Sequence, residues 1–502
     1  MSAQAALAKT QELHAEVSGR RRLVADTEAY YRGKQRLRFA SDKWAEYNAA
    51  RYKDFADNWC APVANTPNER LRVTGFRLDE DPKRSDAEKS LWRDWQANDM
   101  EAQSSQGFLS GITAGRSYVL VWGTGDDEPV STWERADQVT VAYDPERPSL
   151  ATAGLKTWHD GSTEYATLYT TDQVWKWQRP YLEVKDSGGR PARAAGFFET
   201  TGGLLVPSGD SSGWEPRQPA DDDTWPLLNP MGVVPIVELP NRPLLGAEPM
   251  SEISGTMAMQ DAINLLWAYL FNQADHASMP ARVVMGQESP MIPVLDADGN
   301  VVGKRPVDMK KLAEDRLLWL TGKDAKISQW DAAKLDVFTG VIEVAVTHIA
   351  AQTRTPPHYL VLGKGLVNVN ADGMKAAETG LVNKVGEMQL FLGPGTRGIF
   401  QRYALVRGDK TLADKARFGV TEWKDAENHS EAQLVDALQK LDAIGFPFPW
   451  IAERYGLSQT EIDRVLAMRE TERKQDPLAQ IVQNGGLPTP APADAPPVLA
   501  GP

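Results

Sequence analysis

The chain has 502 residues, 42% hydrophobic and 25% charged, with 55 Lys and Arg against 68 Asp and Glu and a formal net charge of −13. That length exceeds a single core and suggests about three domains, and the composition is that of an ordinary folded, soluble protein. The acidic balance argues against a protein whose main task is gripping phosphates, since that affinity comes from cationic neutralisation; any hold on DNA should be loose.

The first hundred residues read mostly as helices. Stretches 2–17 and 22–31, the latter ending at Gly33, are followed by 43–59 and 85–98, each with apolar residues at helical spacing. Trp92 and Trp95 stand three apart on one such face and are read as core or interface aromatics rather than a ligand platform. From Ser117 the period changes: YVLVWG, QVTVAYDP, AGLKTWHD, TEYATLYT and QVWKWQ are short, aromatic and β-branched strand candidates divided by turn residues. Residues 186–223, rich in Gly, Ser, Pro and Asp, read as loop, and GVVPIVELP supplies one more buried strand.

Two long apolar helical stretches come next, 251–278 and 331–353, of ~42 Å and ~35 Å at 1.5 Å per residue. Neither carries Lys or Arg over 252–281 or 335–353, while Glu252, Asp261, Asp336 and Glu343 remain as acidic candidates for an exposed face. Ile253, Met257, Leu265, Leu266, Trp267, Val337, Val341 and Val344 are apolar positions that a lone pair of helices would leave partly uncovered, so packing against further copies is expected. Between the rods, MIPVL-DADGN-VVGK is a hairpin with Asp298-Gly299 in its turn, and RLLWL and AKISQW are further strand candidates. The hairpin region holds a basic cluster, Lys304, Arg305, Lys310 and Lys311, suited to steering an acidic partner.

Pro356-Pro357 ends the second rod and opens a Gly-rich loop with Lys364 between two glycines, followed by Asn368 and Asn370. A cation at such a tip could brush a phosphate backbone without holding it; an ordinary surface-loop lysine fits the same residues. Residues 372–391 then read as helix, with Gly393-Pro394-Gly395 expected to break or kink it before 396–406 resumes. Residues 430–474 give a helical pair around GFPFP, and 476–502 has the composition of a disordered tail.

Catalytic constellations are missing. There is no GxxxxGK[ST] loop, HExxH, GxSxG or EF-hand series, and the six histidines are scattered. Asp221-Asp222-Asp223 reads as a solvated turn rather than a metal site, and no cofactor is expected. The basic runs Arg20-Arg21-Arg22 and KQRLRF at 34–39 are read as partners for nearby carboxylates. Cys60 alone excludes an intramolecular disulfide and a Cys-based zinc cluster, and with no apolar leader near Met1 it points to a reducing cytoplasm. The charge-free run 262–274 falls short of the ~20 residues of a membrane span, so no membrane partner is expected.

Six segments in order, YYRGKQRLRFAS (30–41), GVVPIVELPNRP (232–243), S-x-I-x6-QDAIN (251–264), MPARVVMG (279–286), DAKISQWDAAKLD (324–336) and IAAQTRTPPHYL (349–360), resemble the Gp6-like portal family of tailed bacteriophages, of the type found in phages of actinobacteria. The resemblance spans about residues 20 to 425. It implies an α+β, mainly α, portal-type fold and a structural, non-enzymatic subunit, in a ring of about twelve, forming the channel at one capsid vertex through which double-stranded DNA is packaged and ejected. The implied layout is a wing (1–249), stem helix 1 (250–278), clip (279–330), stem helix 2 (331–355), tunnel loop (356–371), a wing helix (372–425), a crown (426–475) and the tail. Under that reading Lys364, Asn368 and Asn370 face DNA, and Glu252, Asp261, Asp336 and Glu343 line the channel. Lys304, Arg305, Lys310 and Lys311 meet the large terminase and a head-completion adaptor, while other surfaces meet capsid and scaffold proteins; assembly would occur in the host cytoplasm. A metal-dependent DNA-processing enzyme and a non-ring capsid component are the alternatives; the first lacks the carboxylate or histidine cluster it would need.

Overall fold

In the computed structural model the described residues are 1–35, 37, 55–78, 84–123, 127–185, 191–194, 198–201, 204–207, 213–217, 224–278, 282–285, 291–306, 326–329, 335–360, 371–427 and 431–475. The chain forms two compact units: a larger one of Met1–Gln35, Asn58–Met257 and Ala350–Pro502, and a smaller one of Arg36–Asp57 and Ala258–Ile349.

The larger unit begins with one helix, α1 (Ala3–Tyr31), where the sequence suggested two. Ser18-Gly19 does not interrupt it because Ala6, Thr10, Leu13, Val17, Val24 and Thr27 keep one buried stripe through the whole length, while Gly19 faces open space. Helix α1 ends with Arg32 bonding back to the Glu28 carbonyl and Gly33 at φ 66°. Helix α2 (Cys60–Asn68) and strand β1 (Val73–Arg77) follow. Helix α3 (Asp86–Ala97) starts on a capping box in which Ser85 and Glu88 satisfy each other's backbone N–H groups. It precedes α4 (Met100–Ala114). Trp92 and Trp95 of α3 are 3% and 0% exposed and stack at 6.0 Å, with Phe400 5.3 Å beyond Trp95, so they are core aromatics.

The strands are β2 (Arg116–Gly123), β3 (Pro129–Glu134), β4 (Val139–Tyr143), β5 (Ala151–His159), β6 (Thr163–Thr170), β7 (Gln173–Pro180), β8 (Leu182–Lys185), β9 (Pro191–Ala194), β10 (Phe198–Thr201), β11 (Leu204–Pro207), β12 (Glu215–Pro216), β13 (Leu227–Leu228) and β14 (Ile236–Pro240). An antiparallel sheet runs β12-β7-β6-β5-β4, with β13 also on β7, and a second runs β14-β2-β3. Helix α1 lies on β4–β6. Ala6 and Leu13 join Leu155, Leu168, Trp175, Trp177 and Trp214 in one buried cluster, and Val24 joins Tyr118, Val139, Val141, Val234 and Ile236 in another. Trp175 and Trp177 fall on the same face because side chains alternate along a strand. The expected loop 186–223 instead carries β9, the hairpin β10–β11 and β12. Polar, Gly-rich composition hid these short strands, whose backbone pairing needs no apolar alternation.

In the smaller unit, helix α5 (Met257–Ser278) begins six residues later than the sequence suggested, after a 3-10 turn at Ser254–Thr256. Strand β15 (Arg282–Met285) precedes the expected hairpin, β16 (Met291–Leu295) and β17 (Val301–Pro306), in whose turn Gly299 takes φ 85°. Strand β18 (Lys326–Gln329) pairs with β15. Helix α6 (Asp336–Thr353) spans the boundary back into the larger unit. At 22 and 18 residues, α5 and α6 are about 33 Å and 27 Å long.

The larger unit resumes with α7 (Pro357–Leu360) and α8 (Ala371–Val406), an unbroken helix of 36 residues that contains Pro394. The expected interruption at Gly393-Pro394-Gly395 does not occur. The Thr396 hydroxyl bonds the Gly393 carbonyl at 2.9 Å, and the two glycines at 395 and 398 let α8 pack directly on β14. Packing of the turn that follows the proline on β14 outweighs the one backbone bond it removes. Helix α9 (Lys410–Phe418) and strand β19 (Val420–Trp423), paired with β1, follow. The C-terminal part holds three helices where a pair was expected: α10 (Glu431–Ala443), α11 (Phe448–Tyr455) and α12 (Gln459–Gln475). Gly456 at φ 99° ends α11, and the Ser458 and Glu461 side chains bond each other's backbone N–H groups to start α12, a break that apolar periodicity alone passes over. The anticipated helix 43–59 and strand RLLWL fall wholly or largely outside the described residues; within the former, 55–59 is not helical.

Candidate functional site

Helix α6 presents to solvent a row that a single copy leaves uncovered. Val337, Val341 and Val344 are 62%, 48% and 54% exposed, and exposed His348 and Ala351 continue the row at spacings of 4, 3, 4 and 3 residues. Such spacing returns to one side of a helix and is the pattern by which helices seat against other helices. Asp336 and Glu343 are exposed on the same helix, as anticipated, and no cation is paired with either among the described residues. The companion expectation fails for Ile253, which is 0% exposed.

The acidic candidates on and before α5 sit differently. Asp261 is 4% exposed, and the Glu252 side chain likewise 4%. Neither presents a carboxylate to a surface, which corrects their reading as channel-lining acids. Glu252 precedes α5 altogether. Its carboxylate lies 2.9 Å from Lys384 Nζ and 2.7 Å from Arg242 Nε, and Asn241 Nδ2 donates to it at 3.0 Å. Burial pushes the Glu252 carboxyl up, but the charges of Lys384 and Arg242 outweigh this and hold it below the ordinary carboxylate range. Burial lowers Lys384, and Glu252 offsets only part of that. Sequence reasoning missed Lys384, although a signal was present: it stands on the stripe of Leu381, Val385 and Met388, where a lysine is buried only with a partner.

Elsewhere in the smaller unit, the hairpin β16–β17 exposes both faces. Met291, Ile292, Val294, Leu295, Val301 and Val302 range from 39% to 64% exposed, and Lys304 and Arg305 are exposed beside them. A two-stranded ribbon with no covered face is marginal by itself. Asp296 organises its turn by accepting from the backbone N–H of Asp298 and Asn300 at 3.0 and 2.8 Å. Lys310 and Lys311, and Lys364, Asn368 and Asn370, lie outside the described residues. The flanks of 361–370 are described. Tyr359 donates to Glu378 Oε1 at 3.4 Å, His358 Nε2 is 3.4 Å from the same oxygen, and Arg70 reaches Glu378 Oε2 at 3.2 Å and the Tyr359 hydroxyl at 3.0 Å.

The basic run in α1 has structural partners: Arg20 with Glu16, and Arg21 with Glu164 at 3.2 Å, while Arg22 reaches Asp26 at 3.9 Å. Glu164, 1% exposed, also accepts from Arg179 at 2.6 Å and lies 3.1 Å from His14 Nε2. Among the described residues there is no group of three or more metal-ligating side chains, and no helix is long and apolar enough to cross a membrane. Asp221-Asp222-Asp223 lies outside them.

Residues 15–472 match the model of the family described as "Phage portal protein, SPP1 Gp6-like", and the chain belongs to that family. It is 26% identical over 383 residues to a portal protein of Mycobacterium phage D29, covering 74% of this chain and 70% of that one. A portal protein of Mycobacterium phage L5 is 25% identical over 387 residues, covering 74% and 69%. Among solved structures, a chain from the "Neck of empty GTA particle computed with C6 symmetry" aligns with a TM-score of 0.43 and 11% identity over 85% of this chain and 96% of that one. The molecule is therefore a phage portal subunit, a structural component of the virion head and not an enzyme.

Proposed function

We propose that copies of this chain close into a ring of about twelve that forms the DNA channel at one capsid vertex. The observation that carries the reading is the uncovered row Val337, Val341, Val344 on α6. Three valines already about half covered still forgo roughly 0.8 kcal/mol each, which a neighbouring copy recovers. The exposed apolar hairpin β16–β17 is a second uncovered surface, which this reading leaves to the proteins that dock on the ring rather than to ring closure. In this reading the helices α5 and α6 are the stem, 279–330 the clip, 356–371 the tunnel loop, 1–249 with 372–425 the wing, and 426–475 the crown. Exposed Asp336 and Glu343 give the channel a weakly negative wall that DNA slides along without counterion release.

Lys364, Asn368 and Asn370 touch the passing duplex, each contact screened and exchangeable. Lys304, Arg305, Lys310 and Lys311 receive the large terminase during filling and a head-completion protein afterwards, while the wing meets capsid and scaffold proteins during assembly in the host cytoplasm. Negative-stain images of the purified protein test the ring: closed annuli are expected, and a monomeric native mass at micromolar concentration across several salt conditions overturns it.

A further inference from the structure

We propose that Lys384 and Glu252 are the centre of a charge clasp that ties the segment entering α5 and the segment leaving α6 to a single point of α8, and that this pair serves register rather than stability. Three stretches far apart in sequence meet there, all within the larger unit. Lys384 Nζ, on a side chain 1% exposed, lies 2.9 Å from Glu252 Oε2 and donates to the backbone carbonyl of Thr353 at 2.9 Å. Glu252 stands five residues before α5, and Thr353 is the last residue of α6.

An outer ring closes around this centre. Arg242 holds Glu252 and reaches Glu387 Oε2 at 3.4 Å, and Arg354 reaches the same oxygen at 3.9 Å. Both arginines adopt left-handed backbone, φ 38° and 53°, which a non-glycine residue enters only at a cost. Both guanidinium groups lie beside Glu387, on the turn of α8 following Lys384. A buried ion pair seldom adds stability over apolar residues of similar volume, because desolvating two charges offsets their attraction. Here a simpler apolar contact would hold the helices, but it would not specify which turn of α8 meets Thr353 and Glu252. A carbonyl, a carboxylate and an ammonium do, since hydrogen bonds are directional where apolar contacts are not.

The test uses the full-length protein with two readouts, melting temperature and amide hydrogen exchange. Glu252→Gln leaves the Lys384 charge without its counterion and should lower the melting temperature. The double variant Glu252→Leu/Lys384→Met should regain the parental melting temperature, yet exchange at the start of α5 and the end of α6 should rise by about tenfold or more while α1 exchanges as before. A double variant with parental exchange at both places overturns the proposal, and so does one that stays as destabilised as the single variant. Should the double variant fail to fold, Glu387→Gln, at a side chain 43% exposed, removes the carboxylate that Arg354 and Arg242 share while Arg242 keeps Glu252: faster exchange at those two places supports the clasp, and unchanged exchange overturns it.

Discussion

A Cβ built on Gly395 would stand 2.8 Å from the carbonyl oxygen of Glu238 and 3.0 Å from Leu239 Cγ, whereas one on Gly393 meets nothing within 4 Å. Helix α8 thus touches strand β14 backbone to backbone at one glycine and faces away from it at the other. Alanine is favoured over glycine inside a helix by about 1 kcal/mol. At Gly393 that gain should appear undiminished. At Gly395 it is set against overpacking of about 1–3 kcal/mol with a backbone atom that has no room to yield. Gly393→Ala should therefore raise the melting temperature and Gly395→Ala lower it, as thermal unfolding followed by circular dichroism would show; equal shifts would mean that α8 and β14 are not in close contact.

Acid should loosen the packing of α1 on its sheet. Burial lowers His14, so its proton uptake on unfolding costs stability as pH falls past the ordinary histidine value of about 6.5. Burial would raise Glu164, but the hydrogen bond from His14 and the charge of Arg179 hold it well below the usual carboxylate range. Its contribution is complete above about pH 4.5 and is lost as the pH drops below that. Melting temperatures from pH 8 to pH 3 should decline in both ranges, and His14→Gln should remove the first decline and, because His14 helps hold Glu164 low, weaken the second. Glu164→Gln, which leaves Arg179 and Arg21 buried beside a neutral amide, should cost about 3–5 kcal/mol at pH 7.

Charge on the α6 row should separate assembly from folding. Val341 is 48% exposed, so Val341→Glu leaves the subunit's own core intact and should shift its unfolding by under about 0.5 kcal/mol. Repeated around a ring, the buried carboxylate should prevent closure. Native mass spectrometry should give subunits or small oligomers; intact rings would remove α6 from the interface.

The hairpin and the ring should be separable in the other direction. Deleting 296–300 disrupts the turn that Asp296 organises, so rings should still form while DNA packaging in a reconstituted system stops. Loss of the rings themselves would show that the hairpin is part of the assembly contact.

Lys364 distinguishes contact with DNA from mere exposure. On the proposed reading glutamate would replace a ring of positive charge by repulsion, and alanine would only remove it, each single contact being worth under about 1 kcal/mol. Lys364→Glu should build normal rings yet package or retain less DNA, with Lys364→Ala milder. Parental packaging by the Glu variant would leave Lys364 as a surface lysine.

Local signals in the sequence were strong enough to place five of the six strands between Ser117 and Pro180, β3 being missed, together with the turn at Asp298-Gly299, the paired core tryptophans 92 and 95, and the exposure of Val337, Val341 and Val344. Each rests on period or turn chemistry carried by neighbours in the chain. Tertiary contacts decided the rest. Gly393-Pro394-Gly395 reads as a break by composition, but β14, some 150 residues earlier, supplies the packing that keeps α8 whole. Glu252 and Asp261 read as exposed acids because their neighbours in sequence are apolar and uncharged, yet burial depends on what packs across from them. Lys384 is the sharpest case: no residue near it in sequence provides its counterion, and only the fold brings Glu252 and the Thr353 carbonyl to its ammonium. Periodicity is a property of a segment, whereas desolvation and charge pairing are properties of the space a segment enters.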